Sequence, residues 1–283
     1  MSAAGTETHR SMVKAWECDS FGHFTVAYYF DRFADASATA RERFSTPPTW
    51  RSTEYLARFV SELRAGEAFH IESGVIALAD GVLRVGHRLV NTATRKVSST
   101  VEERVERTPG AVALSAAERT QLETVSVPWD GSREDPDFAD DVVEGLMVTA
   151  RDRVRSTELD RTGHLSLPGY VHRSSIGCIH LLTAMGLSPN YLRESRRGFS
   201  TFEIKLRLAG PEPLEGDPLT VTSGLMQLGT SSVRMIHRVS NARSGQRVAT
   251  LRQSGVHFDL DARRSTAIPD EFRARAASLV LHR

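Results

Sequence analysis

The chain has 283 residues, a formal net charge of +1 at pH 7, and 25% charged against 40% hydrophobic residues. That length suggests two domains of ordinary size, each able to bury a real core. With no run of five like charges, neither nucleic acid nor an anionic membrane surface is implied, and a small-molecule partner is expected instead.

Met1 to Arg10 has no apolar signal-like core and no stretch reaches 18 apolar residues, so a soluble cytoplasmic protein is expected. Cys18 and Cys178 make neither a disulfide framework nor a metal pair, and the ten histidines fall in no ligand pattern. No metal and no cofactor is expected.

The first informative stretch is Glu17-Cys18-Asp19-Ser20-Phe21-Gly22-His23-Phe24-Thr25-Val26-Ala27-Tyr28-Tyr29. It reads as the end of a strand, a polar turn and the start of a helix. Val26, Tyr29, Phe30, Phe33 and Ala34 then fall on one apolar helical stripe. An Asp ahead of a Gly-containing turn that opens a helix lies beside free backbone N–H groups and the positive end of the helix dipole. Such a place can hold an oxyanion next to a carboxylate, although Asp is also a common helix cap. Cys18 beside Asp19 invites a nucleophile, yet a small buried hydrophobe is the better reading.

Ser45 to Trp50, with Pro47 and Pro48, breaks the helix, and Ser52 to Leu63 is open between short helix and strand. From Phe69 to Val90 a near-alternating apolar pattern folds back at Asp80-Gly81 and predicts a hairpin. Val97 to Val105 predicts another strand, and Ser115 to Thr124 a short helix. Residues 131–141 predict a linker between a first domain, 1–130, and a second, 142–283.

The second domain repeats the first. Glu158-Leu159-Asp160-Arg161-Thr162-Gly163-His164-Leu165-Ser166-Leu167-Pro168-Gly169-Tyr170 carries Glu, Asp, Gly, His, a small hydroxyl residue and Tyr at the spacing of the first copy, with Asp160 against Asp19 an offset of 141. Thr201 to Leu208, Leu219 to Leu228 and Ser232 to Val239 predict strands, with a turn at Leu228-Gly229-Thr230. Gly216-Asp217 answers Gly66-Glu67, and His237 to Asn241 answers His87 to Asn91, both at an offset of 150. The growth in offset places added residues around Leu187 to Gly198 or Pro211 to Leu214, as loops. Pro269 to Leu281 predicts a terminal helix with Pro near its first turn. A strand, a long helix and several antiparallel strands, twice over, is an α+β architecture in which a curled sheet wraps a helix.

At these residues the sequence resembles the hot-dog thioesterases of the 4-hydroxybenzoyl-CoA thioesterase type. Their signature is Asp, two residues, Gly-His, an Asn near the helix start and a Tyr ten residues after the Asp. Asp19, Gly22, His23 and Tyr29 match it, as do Asp160, Gly163, His164 and Tyr170; Thr25 and Ser166 stand where the family has Asn. The first half looks most like acyl-CoA thioesterases of the carnitine-catabolism, betainyl-CoA type.

The resemblance implies a tandem, double hot-dog chain that hydrolyses an acyl-CoA or acyl-carrier-protein thioester. It implies Asp19 and Asp160 as nucleophile or general base, with His23 and His164 beside them. Backbone N–H groups around Val26 and Leu167 would form the oxyanion hole, and Gly22, Thr25, Tyr29, Gly163, Ser166 and Tyr170 would complete the substrate-binding turns. The two halves are expected to pair like the subunits of a hot-dog dimer, and whole chains to form a homodimer. Two alternatives stay open. Hot-dog hydratases and dehydratases place their Asp and His four residues apart rather than three, and an acyl-CoA-binding protein would use the same fold without catalysis. The continuous apolar wall Val26-Ala27-Tyr28-Tyr29-Phe30 favours Asp19 over Asp160 as the stronger base.

Overall fold

The computed structural model describes residues 5–44, 46, 49–79, 81–110, 113–130 and 144–281. The expected linker, Ser45, Pro47 and Pro48 of the breaker cluster, and Asp80 of the hairpin turn lie outside them. The chain forms two compact units, Met1–Asp135 and Pro136–Arg283.

In the first unit, β1 (Thr6–Met12) leads through a single 3-10 turn (Ala15–Glu17) to α1 (Val26–Arg43). Strands β2 (Trp50–Phe59), β3 (Ala68–Ala79), β4 (Val82–Asn91) and β5 (Val97–Arg107) follow, and then α2 (Ala116–Thr124). The strands form an antiparallel sheet in the order β1-β3-β4-β5-β2. Of the stripe read from the sequence, Tyr29, Phe30 and Phe33 are 0–4% exposed while Val26 and Ala34 are half-buried, and Ala36 and Ala40 complete the buried face of α1. The stretch left open between helix and strand is β2, where Trp50, Tyr55 and Ala57 turn inward while the backbone pairs along β5 from Trp50 opposite Arg107 to Phe59 opposite Ser99.

The second unit repeats this plan with β6 (Met147–Arg153), a 3-10 turn (Ser156–Glu158), α3 (Leu167–Met185), α4 (Pro189–Glu194), β7 (Arg197–Leu208), β8 (Pro218–Leu228), β9 (Ser232–Asn241), β10 (Arg247–Asp259), the two-residue β11 (Arg264–Ser265) and α5 (Asp270–Ala277). Its sheet runs β7-β10-β9-β8-β6, with β11 paired to β10. Each unit is therefore a hot-dog repeat, a curled antiparallel sheet around one long helix.

The structure differs from the sequence expectations at three places. The residues added in the second half include a helix, α4, whose N-cap Ser188 accepts from Tyr191 N at 3.2 Å. Strand β10 has no counterpart among the predicted strands, and it shows no alternation because Val248 to Gly255 is buried throughout, polar Arg252, Gln253 and Ser254 included. The terminal helix stops at Ala277, and the chain then runs beside β8, with Leu281 N donating to Leu225 O at 2.8 Å. The first unit makes the same move after α2, where Val127 N donates to Val75 O at 2.9 Å. Glycine is needed underneath: a Cβ on Gly74 would lie 2.5 Å from Val127, and one on Gly224 would lie 2.6 Å from Leu281.

Between helix and sheet of the first unit runs a buried polar chain. Thr8 Oγ1 is 2.6 Å from Ser73 Oγ, which is 2.7 Å from His87 Nδ1, and His87 Nε2 is 3.2 Å from Glu103 Oε2. Ser37 and Ser52 also donate to Glu103, which is 0% exposed. The second unit repeats it as Thr149, Ser223 and His237, but Gln253 replaces the carboxylate and donates to Thr201 Oγ1 at 2.8 Å.

Burial alone would raise the Glu103 carboxyl, and the bonds from His87, Ser52 and Ser37 outweigh it, holding the group below the ordinary 4.5. A lowered folded value contributes stability that is present above pH ~4.5 and lost as pH falls through the folded value. Urea midpoints should accordingly drop on acidification below that range. Glu103→Gln should flatten this dependence, and an unchanged slope would show that other carboxylates carry it.

Candidate functional site

Each copy of the repeated stretch is a tight turn closed by its own backbone. In the first, Glu17 accepts from Lys14 N at 3.0 Å, Asp19 N donates to His23 O at 2.8 Å, and Thr25 N returns to Glu17 O at 2.9 Å. Gly22, at φ +78°, makes the reversal in a conformation that a side chain would strain. Asp19 Oδ1 accepts from Phe21 N at 2.8 Å and His23 N at 3.0 Å, which braces the turn. Oδ2 has no donor among the described residues, and Asp19 is exposed.

The second turn follows the same path, with Asp160 N to His164 O at 2.8 Å, Ser166 N to Glu158 O at 2.8 Å and Gly163 at φ +83°. Asp160 Oδ1 takes three donors: Thr162 N at 2.8 Å, Thr162 Oγ1 at 2.6 Å and His164 N at 3.2 Å. Partial burial would raise this carboxyl; the bonds from Thr162 and His164 more than offset it and hold it below the usual carboxylate range.

Neither aspartate caps the helix that follows, and neither do the residues at the cap position. Thr25 and Ser166 make no side-chain cap bond. Among the described residues the N–H groups of Val26 and Ala27 have no acceptor, while Tyr28 N turns back to Thr25 O at 2.9 Å. In the second copy only Leu167 offers such a donor, because Pro168 has no N–H and Gly169 N is held by Ser166 O at 2.9 Å. An uncapped helix start with its positive dipole end is an anion-binding place.

The histidines take different partners. His23 Nε2 lies 3.3 Å from Glu62 Oε2 and 3.2 Å from Arg64 Nη2. His164 Nδ1 lies 2.9 Å from Thr162 Oγ1 and 3.7 Å from Glu212 Oε2. The tyrosines lie inside rather than at the turn surface. Tyr29 is 4% exposed, packs tilted against Phe24 and edge-on against Phe59, and sits 3.2 Å from Ser98 Oγ; burial pushes its hydroxyl up to about 12. Tyr170 is 2% exposed, and its hydroxyl, also raised by burial, has no hydrogen-bond partner among the described residues.

Behind each turn a buried arginine of the long helix holds the Glu that starts the motif. Arg173, 1% exposed, grips Glu158 with two nitrogens at 2.9 and 3.2 Å, Asp152 at 3.0 Å and Gly169 O at 2.9 Å. Arg32 reaches Glu17 with one nitrogen, and its other terminal nitrogen donates to Asp31 Oδ2 at 2.6 Å. Sequence reading missed these arginines, although Arg32 and Arg173 share the offset of 141, and missed Glu62 and Glu212, which share the offset of 150.

Among the described residues no group of three or more His, Cys, Asp or Glu side chains could hold a metal ion, and no helix is long and apolar enough to cross a membrane.

Residues 154–276 match the family model of the thioesterase-like superfamily. No curated protein sequence matches the chain. Among solved structures it is similar to a protein assigned as an oleoyl thioesterase from Lactobacillus plantarum, at 12% identity and a TM-score of 0.67, covering 90% of this chain and 96% of that one. It is also similar to a 12:0-ACP thioesterase from Umbellularia californica, at 11% identity and a TM-score of 0.63, with 88% and 93% covered. An acyl-ACP thioesterase from Bacteroides thetaiotaomicron gives 13% identity, a TM-score of 0.62, and 88% and 96% covered. At these identities the likeness is one of fold, and it extends over both repeats.

Proposed function

We propose, from the double hot-dog fold and the match of residues 154–276 to the family model of the thioesterase-like superfamily, that this chain is a thioester hydrolase acting on an acyl-CoA or acyl-carrier-protein substrate. The observation that carries the reading is the doubled arrangement of an exposed carboxylate, braced through one oxygen only, ahead of a helix start whose N–H groups are left open.

A thioester carbonyl needs an attacking group and a stabiliser for the oxyanion that develops. Asp19 and Asp160 take the first role through Oδ2, either activating water or attacking the carbonyl themselves. The open N–H groups of Val26 and Ala27, and of Leu167 in the second copy, take the other. The leaving thiolate is a good enough leaving group to need no metal. His23 and His164 shape the turns through their backbone N–H bonds to the aspartates, and their rings lie beside Glu62 and Glu212.

Two of the similar solved structures are acyl-ACP thioesterases, which is why both carriers belong in the test. Purified protein should release free thiol from members of a panel of acyl-CoA and acyl-ACP thioesters without added metal or cofactor. Binding without turnover across the panel would make the protein a carrier or regulator. Addition of water to an enoyl-CoA would make it a hydratase.

A further inference from the structure

We propose that Thr162 is a positioning residue of the second site, its hydroxyl bridging His164 and Asp160 so that the carboxylate stays ionised and aimed. The inference rests on the hydrolase reading above. Thr162 Oγ1 is 2.6 Å from Asp160 Oδ1 and 2.9 Å from His164 Nδ1. A hydroxyl has one proton to give. It goes to the charged acceptor, the carboxylate, so the contact with His164 is made by Nδ1–H donating to Thr162 Oγ1. The result is a directed chain, His164 Nδ1–H to Thr162 O–H to Asp160 Oδ1, in which each donor polarises the next.

The first site has no such chain. Its residue at this place is Phe21, which offers Asp19 only a backbone N–H, and its His23 points Nε2 away to Glu62 and Arg64. The other groups that face the second turn are Glu212, 3.7 Å from His164, and Tyr170 of α3, which feels the charges of Asp160, Glu212 and Arg173. Glu212 favours a donating His164 ring, and none of these groups replaces the hydroxyl on Oδ1. The two sites therefore differ in how firmly the carboxylate is held, with three donors on Asp160 Oδ1 against two on Asp19 Oδ1.

The test uses the full chain with Asp19→Asn, so that only the second site turns over, and adds Thr162→Val or Thr162→Ser. Two readouts are taken: the acid limb of kcat/KM for thiol release, and the pH titration of the Asp160 carboxyl by NMR without substrate. Thr162→Val should move both to higher pH and lower kcat about tenfold, the size set by losing one hydrogen bond to a charged group. Thr162→Ser should restore both. The proposal is overturned if the Val variant leaves the two pH dependences in place, if Ser fails to restore them, or if Asp19→Asn alone abolishes turnover. If no thioester is cleaved by the unaltered protein, the hydrolase reading fails by itself, and the carboxyl titration still decides the bridge.

Discussion

Replacing both turn carboxylates, Asp19→Asn together with Asp160→Asn, lowers thiol release by about a hundredfold or more, the ordinary size of a general-base contribution. The amide is close in shape to the carboxylate. Its oxygen can still accept from Phe21 and His23 in one turn, and from Thr162 and His164 in the other. What disappears is the negative charge on the outward oxygen, so the loss falls on kcat while circular dichroism and the melting temperature stay near those of the unaltered chain. The single variants apportion the rate between an apolar first helix start with two open N–H groups and a second start with one such group and a better-braced carboxylate. Retention of activity within threefold by the double variant would remove both aspartates from the mechanism.

Arg32→Met lowers unfolding free energy by about 3–5 kcal/mol, the cost of leaving a buried charge without its partner. Met keeps most of the apolar stem, which separates loss of charge from loss of packing. The partner left behind is Glu17, whose side chain is 3% exposed and retains Lys14 N at 3.0 Å and Lys14 Nζ at 3.9 Å. Arg173→Met should cost less, because the side chains of Glu158 and Asp152 are 25% and 36% exposed and can reach water. Urea denaturation of the two variants side by side checks the order. A larger loss at Arg173 would mean that packing rather than charge burial sets the cost.

The sequence makes the long helices and the paired turns visible because those elements bury one stripe and repeat their polar residues. Val26, Phe30 and Phe33 announce α1 through spacing, and Asp19-Gly22-His23 recurs as Asp160-Gly163-His164. The rest is hidden where the physical requirement is not local. Strand β10 buries Arg252, Gln253 and Ser254 along with its apolar residues, so no alternation marks it in the sequence. Glu62 and Glu212 reach the histidines only because a backbone bridge joins His23 to Arg64 and His164 to Leu214. The role of Thr162 depends on which way one imidazole is turned, and residue type does not record that.

The uncapped starts of α1 and α3 also bear on engineering. A Thr or Ser at the cap position ordinarily contributes about 1 kcal/mol by closing on the free N–H groups, and here neither does so. A programme of thermostabilisation would be drawn to positions 25 and 166 early, since Asp or Asn there promises an easy gain. Such a gain would close with a side chain the open N–H groups that the proposed hydrolysis uses as its oxyanion hole. Melting temperature and turnover would then move in opposite directions, and these two positions are the ones to exclude from the library.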